Sequence, residues 1–257
     1  MVKRIDNFTE AEIKPSPPVK MLKLFSFVVA LAATLATSHA GVLIGVQFKG
    51  DGTALTSGQT AGVVAQANWN VQTTQTAIAT PLLDSTGATT GVIYTLSASF
   101  AEKWNTGTGS TTPNRTLLSG KIGNNAVPAT LSINLSGLTD GTGYDFYLYT
   151  VSDNNTRSDI SAGGTTYYIT DQNGGVDYTG VFVQGTSTNS AARTTANYVK
   201  FSGLASSGGN LTISINEVDY HVGYNGFQIQ AVPEPATWAL LAFSLTSVVI
   251  FRRRRLG

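Results

Sequence analysis

A single histidine limits the chemistry open to the body of this chain. His221, in the stretch EVDYHVGYNG, is the only imidazole beyond the first forty residues, where His39 lies. A serine nucleophile would need it as base, yet no Gly-x-Ser-x-Gly elbow surrounds a serine, and Asp219 is too close in sequence to orient it. No second histidine is spaced for zinc, and the absence of cysteine excludes thiol catalysis and thiolate metal sites. His221 is therefore expected in a structural or surface role. Carboxylates are what remain. Asp145, Asp153, Asp159, Asp171, Asp177, Glu217 and Asp219 could supply the acid and base of a small polysaccharide-cleaving enzyme. Most sit in turn-like contexts, where aspartate caps backbone N–H groups or faces water. No catalytic residue is assigned, and the chain is read as not an enzyme.

Two other residue classes could bind rather than react. Asp153-Asn154-Asn155 and Asp171-Gln172-Asn173-Gly174 carry the oxygen ligands calcium takes, without the spacing of an EF-hand loop. They leave a structural calcium open; no other cofactor is expected, and no metal-ligating set is assigned. Aromatic residues are numerous beside asparagine and aspartate. Sugar rings stack on aromatic planes while their hydroxyls bond to amides and carboxylates, so Trp69, Trp104, Tyr167 and Tyr178 are candidate glycan contacts. The same residue types also fill the cores of β sandwiches.

The elements that must position these groups are strands. Thr130–Leu135 places Leu131, Ile133 and Leu135 on one face, and Ser132 and Asn134 on the other. Tyr144–Val151 does the same, with Tyr144, Phe146 and Leu148 opposite Asp145, Tyr147 and Tyr149. Further strands are predicted at 42–48, 91–100, 165–170, 180–183, 198–201, 211–215 and 226–230. Turn pairs such as Asp140-Gly141 and Asn173-Gly174 separate them. Eight or nine short strands without helical spacing between them indicate an all-β, jelly-roll-like sandwich over residues 41–231. The stretch 50–81 is weakly patterned, and its loops around Trp69 are expected over one end of the sandwich.

The ends read differently. Residues 21–40, MLKLFSFVVALAATLATSHA, have the charged, apolar and small-residue order of a signal peptide, with cleavage expected between Ala40 and Gly41 by signal peptidase. Residues 1–20 read as an upstream start-site artefact or an extended n-region. From 232 to 257 the chain runs VPEPATWALLAFSLTSVVIFRRRRLG: the triplet Pro233-Glu234-Pro235, an apolar stretch 236–251, then Arg252, Arg253, Arg254 and Arg255. The arginines would stop transfer and remain cytoplasmic, so both ends orient the β domain outward. Between residues 41 and 232 there are seven basic and eleven acidic residues, and the whole-chain charge of +1 is carried by the ends. The body therefore lacks the basic footprint of a nucleic-acid binder.

The tail resembles the PEP-CTERM sorting signal of Gram-negative, often exopolysaccharide-producing, bacteria: motif, apolar helix and basic cluster stand in the family's order. That resemblance implies an exosortase-type membrane protease as a partner, a transient stay in the inner membrane, and final placement in the envelope or outside the cell. More weakly, the run from TLSINLSGLTDGTGYDFYLYT to NGFQIQ is similar to galactose-binding-like jelly rolls of carbohydrate-binding modules, and carries over no binding residue. Together these give an exported envelope or matrix protein, non-catalytic, with exopolysaccharide as its expected ligand. A structural or adhesive protein without a glycan ligand, and a carboxylate-dependent polysaccharide-cleaving enzyme, are the alternatives.

Overall fold

A computed structural model describes residues 42–76, 80–97, 100, 102–124 and 129–232. The expected signal peptide, its cleavage site at Ala40–Gly41, Pro233-Glu234-Pro235 and the arginines 252–255 lie outside the described residues. Among the described residues no helix is long and apolar enough to cross a membrane.

Two large sheets form the domain. The first runs β11 (Gln184–Gly185), β13 (Tyr198–Ala205), β7 (Gly143–Tyr149), β16 (Gly226–Val232), β1 (Leu43–Phe48), β2 (Asn70–Gln72). The second runs β12 (Thr194–Ala196), β10 (Thr165–Asn173), β9 (Arg157–Ala162), β14 (Leu211–Glu217), β6 (Ala129–Ser136), β3 (Ile93–Leu96), with β8 (Val151–Ser152) paired to β10. A small third sheet orders β15 (Gly223–Tyr224), β5 (Gly120–Gly123) and β4 (Glu102–Asn105). The all-β sandwich expected from the sequence is what forms.

Alternation explains the core. In β14 and β6 every second side chain turns inward, and the register sets Ile213 opposite Ile133 and Ile215 opposite Leu131. They meet Val46, Phe146, Leu148, Phe227 and Ile229 of the first sheet in one apolar cluster. Each such side chain contributes roughly 1.5–3 kcal/mol on leaving water.

The outer face of the first sheet is covered as well. Tyr149, Trp69, Tyr178, Leu55, Leu117 and Leu118 form a second buried cluster there. Two buried glutamines pin the cover. Gln47 Nε2 donates to the carbonyls of Thr53 and Thr116, both at 2.8 Å, and its Oε1 accepts from the Leu55 N–H at 2.8 Å. Gln228 Nε2 donates to Val64 O at 2.7 Å, while its Oε1 accepts from the Tyr149 hydroxyl. The weakly patterned stretch after β1 is therefore a turn-rich lid over a sheet face, with β2 as the one strand among its described residues.

Several expectations need correction. Residues 180–183 are not a strand, because Asn197 satisfies that backbone instead. Its Oδ1 accepts from Val183 N at 2.8 Å and its Nδ2 donates to Val181 O at 2.9 Å. The strand expected over 91–100 is confined to 93–96. The described residues hold sixteen strands rather than eight or nine, because polar segments such as RSDISA, EKWN and GKIG also pair. One short helix was not anticipated: α1 (Pro113–Leu118), whose N-cap Thr112 accepts from Arg115 N and whose first turn holds Pro113.

The chain enters and leaves this domain at one end. β1 and β16 are antiparallel neighbours, Leu43 faces Gln230, and Ala231 N–H donates to Val42 O at 3.0 Å. The opposite end, beyond Phe48 and Gly226, carries the third sheet, α1 and the turns after β8, β10 and β14.

Candidate functional site: a buried ammonium at the far end

The far end is organised around Lys121, whose side chain is 0% exposed. It lies in β5 between glycines, in the segment GKIG, opposite Trp104 of β4. Its Nζ donates to Asp153 Oδ1 at 2.6 Å and to the His221 carbonyl at 2.6 Å, and sits 5.0 Å from the centroid of the Trp104 ring. The His221 ring meets the same indole edge-on at 5.6 Å. His221 itself adopts a left-handed backbone, φ 64°, as one of two non-glycine residues that do so among those described. That unusual turn aims its carbonyl at the ammonium. Room for the lysine stem comes from Gly223 of β15: a Cβ there would lie 2.1 Å from Lys121 Cδ.

Two buried acids share the ammonium's field. Asp171, at the inward face of β10, accepts from Thr156 N at 2.5 Å and from Thr156 Oγ1 at 2.9 Å. Loss of water pushes its pKa up to about 8, against the opposing pull of the Thr156 bonds and the Lys121 charge. Glu217 ends β14 and is likewise sealed. Desolvation pushes it up to about 8, with the Asn124 backbone and Lys121 pulling back. Both carboxyls thus hold protons near neutrality, as a proton donor does, but neither opens to solvent. Burial also raises the hydroxyl of Tyr224 well above its usual range, and the nearby Glu217 adds to the shift.

Asn225 locks the elements of this end together. It is fully buried, and its Nδ2 donates to Leu118 O, Gly120 O and Val151 O at 3.2, 2.8 and 3.1 Å. Its Oδ1 accepts from Val151 N at 2.5 Å. One side chain thereby ties α1, β5 and β8 to the junction between β15 and β16.

The four aromatic candidates are not brought together. Trp69 is buried and donates from Nε1 to Gln66 O at 3.0 Å. Tyr178 is buried with the Arg115 guanidinium 5.3 Å above its ring. Tyr167 is half-buried and packs on Phe201 at 5.0 Å. Trp104, also half-buried, is the one beside Lys121 and His221. The two oxygen-rich turns do meet: Asn173 Nδ2 donates to Asp153 O at 2.6 Å, and Asn155 Nδ2 to Asp177 Oδ2 at 2.6 Å. Their side-chain amides join one turn to the other, and no group of three acidic or histidine side chains suited to a metal ion occurs among the described residues.

Sequence reasoning missed Lys121, Asn225 and the two glutamines. The available signal was a lysine at an inward position of a glycine-flanked apolar segment, and amides alternating with Phe227 and Ile229 in NGFQIQ.

No curated protein matches the chain. Its C-terminal residues 231–255 match the family model of the PEP-CTERM protein-sorting motif, beginning in the last two residues of β16. The match covers the triplet, the apolar stretch and the arginines in order. This chain therefore carries a PEP-CTERM sorting signal, which marks it as an exported surface protein and an exosortase substrate.

Proposed function

We propose that the exported domain is a non-catalytic component of the envelope or extracellular matrix that contacts polysaccharide through the far end of the sandwich. The observation that carries this reading is the aromatic edge around Trp104. The indole is held in place by His221 and Lys121, and Tyr220, next in sequence to His221, is 60% exposed. Asp153, paired to Lys121, and the Lys103–Asp51 pair at 3.0 Å supply hydrogen-bonding groups at the same end. A fixed aromatic plane rimmed by polar groups is what stacking on a sugar requires. This end lies opposite residues 42 and 232, where the chain enters and leaves. The non-catalytic half rests on the sealing of Asp171 and Glu217, the two acids that hold protons near neutrality.

The test is binding of the purified protein to a polysaccharide and glycan panel, with and without calcium. Saturable binding that falls about tenfold or more in Trp104→Ala and Tyr220→Ala, and is kept in Trp69→Phe, is the expected result. Absence of saturable binding to every polysaccharide in both conditions would overturn it.

A second reading, adhesion by self-association, is favoured by one observation. Val176, Val181 and Val183 are exposed on the loop leading to the short edge strand β11. Concentration-dependent oligomers lost in Val176→Ser/Val181→Ser would support it.

A further inference from the structure

We propose that Lys121 and Asp153 condense to form an intramolecular isopeptide bond that clamps the third sheet to the turn after β8. The geometry is that of a pair held ready to react. Lys121 Nζ lies 2.6 Å from Asp153 Oδ1, and the His221 carbonyl and the Trp104 ring fix the nitrogen from two other directions. The stem has no freedom, since it runs against Gly223. Holding two groups at contact distance in a rigid frame is equivalent to an effective concentration of ~10⁵–10⁸ M. That is the factor that lets a carboxyl and an amine condense in water.

The balance is simple. The amine lone pair of Lys121 attacks Asp153 Cγ and a C–N bond forms. The tetrahedral intermediate then breaks one C–O bond, and that oxygen leaves as water. From the ion pair, –NH3⁺ and –COO⁻ become –NH–CO– and one water; nothing is oxidised or reduced. Two protons must pass from nitrogen to the departing oxygen. Water at the half-exposed carboxylate of Asp153 carries both. Asp153 is 44% exposed, so the water has an open route to solvent.

The energetic argument points the same way. A fully buried ammonium paired to a half-exposed carboxylate keeps a desolvation cost that the pair only partly repays. The amide removes both charges. It would also close a covalent loop between residues 121 and 153, cross-linking β5 to the β8–β10 region where backbone pairing is short.

The experiment is mass spectrometry of the full chain purified in the folded state, intact and after tryptic digestion. The expected result is a protein lighter than its sequence by one water, with the segments holding Lys121 and Asp153 recovered as a single branched peptide. Asp153→Ala and Lys121→Arg should restore the sequence mass. Asp153→Asn should instead lose one ammonia, because the amide is then the leaving group. Wild-type protein of unaltered mass, with Lys121 and Asp153 on separate linear peptides, would overturn the proposal. That readout needs no variant to fold and is independent of glycan binding.

Discussion

Gly223 faces the side chain of Lys121 so closely that a Cβ at 223 would lie 2.1 Å from Cδ, nearer than two non-bonded carbons can approach. The glycine is there because the lysine is. Gly223→Ala must displace either β15 or the lysine stem, and overpacking of this kind costs about 1–3 kcal/mol. Gly58→Ala is the matched control, since a Cβ there meets nothing within 4 Å and the backbone has ordinary φ. Urea denaturation should separate the two: a lowered midpoint for the first, a shift within about 0.5 kcal/mol for the second.

The buried acids predict that the domain is more stable in mild acid. Asp171 and Glu217 titrate near 8 when folded and near the ordinary carboxylate values of 3.8 and 4.5 when unfolded. Between those limits the native state holds protons that the unfolded chain releases, so stability is complete below about pH 4 and declines as pH rises toward about 8. Carboxylates held low by hydrogen bonds, such as Asp84 and Asp219, act in the opposite sense only near and below their ordinary range. Thermal midpoints should therefore rise between about pH 8 and about pH 5. Glu217→Gln should flatten the slope and raise the midpoint at the alkaline end. A midpoint independent of pH across this range would refute the assignment.

Asn225 predicts a large loss from a small change. Asn225→Ala removes four hydrogen bonds at once and leaves the carbonyls of Leu118, Gly120 and Val151 without that donor. A loss of about 2–4 kcal/mol is expected, given about 1–3 kcal/mol for each group left unsatisfied and partial relaxation. Asn225→Asp should fare no better, because a carboxylate cannot donate to three carbonyls. Hydrogen exchange should report it locally, with faster exchange at Val151 N–H than in β6 or β14.

Tyr149→Phe tests the cover over the first sheet. The hydroxyl accepts from Val63 N at 2.8 Å and donates to Gln228. Its removal should cost about 1–2 kcal/mol and increase proteolysis within residues 50–69, with the core otherwise intact.

The β character and the inward faces of β6 and β14 were legible because strict alternation of Leu or Ile with Thr, Ser or Asn has one structural meaning. Polar strands were not. RSDISA pairs in β9 with Arg157, Asp159 and Ser161 turned outward and Ser158, Ile160 and Ala162 turned in, a pattern too sparse to read against a Ser/Thr-rich background. The far-end site was less legible still. Asp153, Asp171, Glu217 and His221 could each be named as titratable, but their meeting depends on long-range register. Glu217 lies opposite Ser158, and Thr170 opposite Arg157, across three strands. Lys121 carried only the faint signal of its glycine-flanked setting in GKIG, and an isolated lysine normally reads as surface. Trp69 and Tyr178 are buried in the second cluster over the first sheet, where Gln47 and Gln228 pin the covering backbone at Thr116 and Val64, a long-range arrangement that aromatic residue type alone does not reveal.

β16 is hydrogen-bonded on both sides, to β1 and to β7, over nearly its whole length. A tug on residue 232 is therefore directed along a strand gripped by two ladders, and resisting it sets many backbone bonds in shear together. A tug that parted residues 42 and 232 would instead unzip β1 from β16 one pair at a time. The fold is mechanically polarised: strong against drag applied through its C-terminal end, weak against separation of its own termini.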